Sequence, residues 1–221
     1  MLFMKEYLEI WDWEKGKPTG LSIERNEAHE KGIAHEGVHL WICRKSYTGN
    51  EILFQHRSPE KLNYPDCLDI SVAGHVPFDV KENKIHKEAE EELGISPSND
   101  DLCDLGFFRY EEDEEKFYHR EFQHIYVLRD DRPLSHYSFV DGEVTGLFSV
   151  PLDFLKKLYH EDDSMTCQGY DGSLEIQRTL SKKDFHPLLF APVMSVYMKI
   201  VLAAVEELLS KGTVSIQMPH I

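Results

Sequence analysis

The 221-residue sequence is poor in positive charge, has few cysteines and lacks a long uninterrupted apolar run. Only 24 Lys and Arg residues stand against 40 Asp and Glu residues, which gives a formal net charge of −16. A protein that binds a nucleic acid polymer by neutralising its phosphates needs a basic surface, so we exclude that class of partner. If an acidic protein of this kind handles phosphates, we expect a metal cation to mediate the contact.

The few cysteines and the short apolar runs also indicate the compartment of the protein. The four cysteines are dispersed without a C-x-x-C pair, which is typical of reduced thiols in a cytoplasmic protein. The first six residues have too short an apolar run for a signal peptide. The longest apolar stretch, residues 188–205, is interrupted by Pro192, Ser195 and Lys199, so we expect no membrane span.

Hydrophobic residues make up 41% of the chain, enough for a sizeable core, and we expect one domain over residues 1–221. A β-hairpin is predicted at about 6–24, a helix at 85–93 capped by Gly94, and a helical extension at about 186–211. Hairpins mixed with helices favour an α/β fold, an α/β/α sandwich around a mixed β-sheet. The other predictions are strands at 37–43, 51–56, 70–76, 104–110 and 122–128, a charged hairpin connection at 111–116, and helices at about 152–159 and 192–210.

The most informative segment contains three glutamates on one predicted helix. Glu88, Glu91 and Glu92 are spaced i, i+3 and i+4, so their carboxylates converge on one helix face. A solvated glutamate-rich helix is the simpler interpretation of such a run. Carboxylates this close repel one another, however, and a divalent cation among them would offset that cost. Hard oxygen ligands suit Mg²⁺ or Mn²⁺.

Read together with Ala73-Gly74-His75-Val76 upstream, the segment Lys87-Glu-Ala-Glu-Glu-Glu-Leu-Gly-Ile95 resembles the box of the Nudix hydrolases, G-x5-E-x7-R-E-U-x-E-E-x-G-U, in which U is aliphatic. The second half matches, with Lys87 where arginine is usual. In the first half, the glutamate of the pattern falls on Val80, and Lys87 comes one residue early. Asp79 or Glu82 could supply that carboxylate, or the loop is shorter in this chain.

Flanking segments are similar to the Nudix branch that contains isopentenyl-diphosphate isomerase and its hydrolase-like relatives. The similarity covers roughly residues 6–155 and leaves the C-terminal 60 or so residues weakly constrained. It implies that Arg57 and Lys61 bind the substrate diphosphate and that Glu121 is functional. It also suggests His29, His35 and His75 as metal ligands, although the first two are one residue closer together than in the isomerase. The segments that carry this similarity are residues 25–29, 32–42, 52–61, 64 and 65.

One position separates isomerase from hydrolase chemistry. The isomerase has a catalytic cysteine immediately before the Gly-His pair, where this chain has Ala73. Alanine has no proton to transfer, so hydrolysis of a phosphoanhydride is the better prediction.

We therefore expect a Mg²⁺- or Mn²⁺-dependent hydrolase that acts on a diphosphate linkage in a nucleoside diphosphate or its derivative. The resemblance and the clustering imply Gly74, Glu88, Glu91 and Glu92 as metal ligands, with Glu91 or Glu121 as general base. Isomerisation of a diphosphate and non-catalytic nucleotide binding stay as alternatives. The partner would be a small-molecule diphosphate, and the oligomeric state is open, with a homodimer as one option.

Overall fold

The computed structural model describes residues 5–114 and 117–220. A two-stranded sheet comes first, and a nine-stranded mixed sheet forms the body of the fold. The strands are β1 (Tyr7–Asp12), β2 (Lys17–Glu24), β3 (His35–Ser46), β4 (Gly49–Arg57), β5 (Leu68–Asp69), β6 (Val72–His75), β7 (Leu102–Glu114), β8 (Phe117–Arg129), β9 (Val144–Pro151), β10 (Ser164–Tyr170) and β11 (Glu175–Ser181). The helices are α1 (Arg25–Lys31), α2 (Lys84–Leu93), α3 (Leu152–Lys157) and α4 (Ser195–Lys211).

The large sheet runs β11-β10-β9-β4-β3-β8-β7, with β5 paired to β4 and β6 paired to β3. Its one parallel pair among the described strands joins β3 to β8, while the other pairs are antiparallel. The central strand β3 is buried along most of its length, as expected of a strand covered on both faces. The sheet is therefore mixed, as predicted.

Alternate residues of β3 belong to two different hydrophobic cores. Leu40 lies in the core that contains Ala89 of α2, and Trp41 lies in the core that contains Val201 of α4. Because successive side chains of a strand point to opposite faces, α2 covers one face of the sheet and α4 the other. The predicted α/β/α sandwich is confirmed.

The strand predicted at 70–76 is shorter in the structure, since only β6 lies within that range. β5 precedes it, and the two short strands pair with different neighbours, β5 with β4 and β6 with β3. Ser71 lies between them, and its hydroxyl accepts a hydrogen bond from the Ile42 N–H of β3 and donates to the Leu53 carbonyl of β4. The Ser71 side chain therefore links β3 to β4 at the point between β5, which pairs with β4, and β6, which pairs with β3. The resulting split in the sheet opens a cleft beside β6.

Other boundaries also differ from the predictions. The connection predicted at 111–116 is mostly strand, because β7 continues to Glu114 and Glu112 pairs with His119 of β8. Residues 115 and 116 lie outside the described residues. Helix α3 ends at Lys157. The long C-terminal helix begins at Ser195, after two 3₁₀ turns at Pro187–Phe190 and Pro192–Met194, since proline suits the first position of a helical turn and lacks the N–H that a helix interior needs.

Helix α1 and the β10–β11 hairpin were not predicted. The hairpin extends the sheet through β9 and precedes the helical extension predicted at about 186–211. Among the described helices, none has the length and apolar character needed to cross a lipid bilayer.

Candidate active site

A cleft of about 410 Å³ opens where β6 meets α2, and the 187–194 segment forms its far wall. The cleft brings together residues that are distant in sequence. The sequence-predicted residues that line it include Arg57, Lys61, Gly74, Glu88, Glu91, Glu92 and Glu121, together with His29 and His75 of the three suggested histidine ligands; His35 is not among the lining residues.

Glu88 of α2 lies directly against Gly74 of β6. A Cβ atom at position 74 would come within 2.2 Å of Glu88 Oε2. The Glu88 side chain can occupy this place only because residue 74 has no side chain. Burial raises the pKa of Glu88, while Lys87 opposes that shift.

Glu92, one helical turn further, is 5% exposed. One carboxylate oxygen, Oε2, accepts hydrogen bonds from the Ala73 N–H at 3.1 Å and from Gln55 Nε2 at 3.2 Å. Burial raises the pKa of Glu92 well above its ordinary value, and nearby Glu88 adds to the shift. Half-buried Glu88 and buried Glu92 are each costly to ionise alone, and together they form a site whose charge a cation would balance.

Glu91 differs from the other two glutamates. It is at the exposed rim of the cleft, where its carboxylate pairs with Lys87 Nζ at 3.0 Å. Lys87 also lies 3.4 Å from Glu88 Oε1, so it bridges two of the three acids. All three glutamates line the cleft, with Glu92 buried, Glu88 half-buried and Glu91 accessible to water.

Four histidines surround Glu121 on the other side of β6. His119 Nδ1 lies 3.2 Å from Glu121 Oε1, His75 Nε2 at 3.9 Å and His35 Nε2 at 4.0 Å. His29 Nε2 is 3.2 Å from His75 Nε2. Among these, His29, His35, His75 and Glu121 each offer a ligand atom within 4.8 Å of the others.

The protonation of this histidine cluster suits metal binding. Burial lowers the pKa of His29 to about 4 and that of His75 well below its ordinary value. The neighbouring imidazoles, His119 first, hold the pKa of Glu121 well below its ordinary value against the effect of burial. His35 Nε2 is buried without a hydrogen-bond partner in the described structure. Neutral imidazoles beside an ionised carboxylate are a donor set that Zn²⁺, Fe²⁺ and Mn²⁺ accept.

The two basic residues at the cleft have different surroundings. Arg57 donates to the carbonyl oxygens of Asn63 and Tyr64 at 2.9 Å each, and to Asp69 Oδ2 at 3.2 Å. Arg57 therefore holds the loop that follows β4 as well as lining the cleft. Lys61 pairs with Glu143, its one ion-pair partner in the described part of the chain, and a phosphate could replace that contact.

Several cleft residues were not predicted from the sequence. Neither Asp79 nor Glu82 is among the described residues that line this cleft; Glu82 lies at a separate depression. The additional lining residues include His39, Gln123, Asp141 and, from the C-terminal segment, His186, Leu188, Leu189 and Met194. His39 lies two residues after Gly37 and four after His35 on β3, so the three residues share one face of the strand. This spacing is visible in the sequence and could have identified His39. The C-terminal residues carried no such signal.

A mixed sheet between helices, with a glutamate of α2 against a glycine of the short strand β6, is the arrangement that the resemblance to the Nudix hydrolases implied. The chain is 31% identical over 206 residues to an uncharacterized Nudix hydrolase of Clostridium acetobutylicum, a match that covers 90% of this chain and 97% of that protein. The chain belongs to the Nudix hydrolases and is an enzyme of that family.

One further relative carries the same family name, and one solved structure shares the fold. Nudix hydrolase 3 of Arabidopsis thaliana is 31% identical over 155 residues, which is 68% of this chain and 20% of that longer protein. The crystal structure of DR0079 from Deinococcus radiodurans shares the fold with a TM-score of 0.50 and 22% identity, and the match covers 68% of this chain and 86% of that one. No protein-family model matches the chain.

Proposed function

We propose that this Nudix hydrolase cleaves a diphosphate linkage in a nucleoside diphosphate or nucleoside diphosphate derivative and that it depends on Mg²⁺ or Mn²⁺. The observation that carries the proposal is a pair of carboxylates in an open cleft: half-buried Glu88, which lies against Gly74, and buried Glu92, which accepts a hydrogen bond from the Ala73 N–H. Their oxygen donors fit a hard divalent cation. Lys61 and Arg57 line the same cleft and supply positive charge for a diphosphate.

Glu88 and Glu92 would hold the cation, with Glu91 and the Gly74 carbonyl oxygen as further ligands. When bound, the ion would neutralise charge on the phosphate oxygens and lower the pKa of a coordinated water. Gln55 and the Ala73 N–H fix the orientation of the Glu92 carboxylate. This arrangement keeps the Glu92 ligand in place before substrate arrives.

Glu91 is the better placed of the two proposed general bases. Its carboxylate is exposed to water at the rim, so it can accept a proton from a water in the cleft while it stays in contact with Lys87. Glu121 is ionised and enclosed by imidazoles, and its low pKa makes it a weak base. The contacts of Glu121 favour a ligand role with His29, His35 and His75 in a second, nitrogen-rich cation site.

Lys61 and Arg57 would bind the diphosphate in different ways. Lys61 can exchange Glu143 for a phosphate oxygen without disturbing the backbone around it. Arg57 would contribute a donor while its remaining N–H groups keep the 63–69 segment in place. A small-molecule diphosphate is thus the proposed partner.

The histidine cluster is the observation that favours an isomerase-like relationship, the second candidate function. Ala73 lies at the cleft where that chemistry needs a transferable proton. The nearest sequence alternative, Cys67, is half-buried, and burial raises the pKa of its thiol to about 12. Hydrolysis therefore remains the proposed reaction. The carboxylates of Glu88 and Glu92 argue against a function limited to nucleotide binding.

The proposal is tested by incubating the protein with ADP, ADP-ribose, dinucleoside polyphosphates and isopentenyl diphosphate in Mg²⁺ or Mn²⁺. Products are followed by phosphorus NMR, with a parallel reaction in a chelator. We expect metal-dependent cleavage of a nucleoside diphosphate compound. Isomerisation of isopentenyl diphosphate without cleavage of any nucleotide would overturn the proposal.

A further inference from the structure

His39 lies in the wall of the cleft and has no role in either proposed cation site. It is 8% exposed, and it lines the cleft, so the small exposed part of the ring opens into that space. In the sheet it pairs directly with Ala73 of β6, beside the strand end that contacts Glu92. A polar ring this deeply buried is expected to have a hydrogen-bond partner on each nitrogen.

One nitrogen of His39 has such a partner, and the contact fixes the tautomer. The hydroxyl of Tyr197, on α4, lies 2.8 Å from His39 Nδ1 and 2.8 Å from Trp41 Nε1. The indole N–H can only donate, so the hydroxyl oxygen accepts from Trp41. Tyr197 is fully buried, and its O–H proton then has His39 Nδ1 as its acceptor among the described residues.

Because Nδ1 accepts, the proton of the neutral imidazole is on Nε2. Burial lowers the pKa of His39 to about 4, so the ring is neutral at physiological pH. No described residue forms a hydrogen bond with Nε2. The site therefore presents an uncharged, oriented N–H donor to whatever occupies the cleft.

We propose that His39 is a substrate-positioning residue whose Nε2–H donates to an oxygen or nitrogen acceptor on the nucleoside part of the substrate. This inference rests on the proposed function and narrows its substrate class. A hydrocarbon group against this N–H would leave a buried donor unpaired, which is unfavourable. The wall formed by Leu188, Leu189 and Met194 can pack on the apolar surface of the same moiety.

Two substitutions separate the cleft-facing nitrogen from the core-facing one. The polar atoms of asparagine lie at the δ position, so His39→Asn can keep the acceptor for Tyr197 while removing the Nε2 donor. The polar atoms of glutamine lie at the ε position, so His39→Gln can keep a donor in the cleft while losing the contact to Tyr197. A purely structural role for His39 would make His39→Gln the more damaging change in every assay.

The test measures binding of two non-hydrolysable probes in Mg²⁺ by calorimetry: α,β-methylene-ADP and methylenediphosphonate, which lacks the nucleoside. We expect His39→Asn to weaken binding of the nucleotide on the order of tenfold and to leave binding of methylenediphosphonate unchanged. We expect His39→Gln to bind the nucleotide within about threefold of wild type. Thermal unfolding of each variant verifies that it is folded.

The outcomes distinguish this inference from the proposed function. If wild type binds α,β-methylene-ADP and His39→Asn binds it equally well, the role of His39 is overturned while the hydrolase proposal stands. Equal weakening of both probes in His39→Asn would place His39 on a phosphate and would also overturn it. If wild type binds methylenediphosphonate but not the nucleotide, both the nucleoside substrate and the inference fail.

Discussion

Glu88 Oε2 occupies the space directly over Gly74, where a Cβ atom would stand 2.2 Å away. In Gly74→Ala, the new methyl group would have to displace the Glu88 side chain from the cleft. We expect on the order of a hundredfold loss of hydrolysis, because the proposed cation site loses a ligand. Turnover at saturating Mg²⁺, together with the Mg²⁺ concentration at half-maximal rate, measures the effect.

Gly37→Ala is the matched control. A Cβ at position 37 would meet its nearest neighbour, Glu121 Oε2, at 3.4 Å, which is an ordinary contact distance. This variant is expected to keep Glu88 in place and to lose little Mg²⁺-dependent activity. Equal activity in Gly74→Ala and Gly37→Ala would mean that the position of Glu88 does not matter.

Lys61 offers a test of diphosphate binding with little structural disturbance. Its amino group has one described ion-pair partner, Glu143, and no described backbone contact from its side chain. Lys61→Ala should raise KM about tenfold, since a charge-assisted hydrogen bond to phosphate is lost, with a smaller change in kcat. An unchanged KM in Lys61→Ala would mean that this residue does not bind the substrate.

Arg57→Ala should raise KM and also lower the melting temperature, because Arg57 holds the loop at Asn63 and Tyr64.

The buried neutral His39 predicts a pH-dependent part of the stability. Its pKa falls from 6.5 to about 4 on folding, so between these values the unfolded chain binds a proton that the folded protein does not. Stability from this group is therefore present above pH 6.5 and decreases as the pH falls toward 4. At pH 5 the loss is about 1–2 kcal/mol. His39→Asn should lose correspondingly less stability between pH 7.5 and pH 5, as measured by urea unfolding, and an identical pH dependence in both proteins would contradict this.

We expect no isomerase activity, because residue 73 is an alanine that has no proton to transfer. Wild type and Ala73→Cys should both fail to exchange deuterium from solvent into the carbon chain of isopentenyl diphosphate, because proton transfer to carbon needs an acid and a base placed on opposite faces. The cleft-facing donor opposite Ala73 is His39, a neutral ring whose second nitrogen is held by Tyr197. Rapid exchange by wild type would point to isomerisation.

The sequence predicted the parts of the site that depend on local spacing. The i, i+3, i+4 order of Glu88, Glu91 and Glu92 fixes their common helix face, and a Gly-His pair at a strand end was visible upstream. The sandwich followed from the order of hairpins and helices. These features need only short-range geometry.

The rest of the site depends on long-range contacts that spacing does not encode. Gln55 reaches Glu92 across 37 positions, and Tyr197 reaches His39 across 158. The change of pairing from β4, for β5, to β3, for β6, occurs at Ser71, whose hydroxyl forms hydrogen bonds with both β3 and β4. Among the described strands, β9 is the one that joins the β10–β11 hairpin to the rest of the sheet, and no local sequence pattern predicts that pairing.

The proposed role of Glu92 as a ligand of the catalytic cation is tested by comparing the turnover of Glu92→Gln with that of wild type. Both proteins are assayed on the substrate that the screen identifies, at saturating Mg²⁺ and Mn²⁺, with melting temperatures measured with and without metal. We expect at least a thousandfold loss of turnover, which is about 4 kcal/mol of barrier. We also expect no loss of metal-free stability, because a buried, costly anion is removed. Near-normal turnover of a folded Glu92→Gln protein would mean that Glu92 is not a ligand of the catalytic cation.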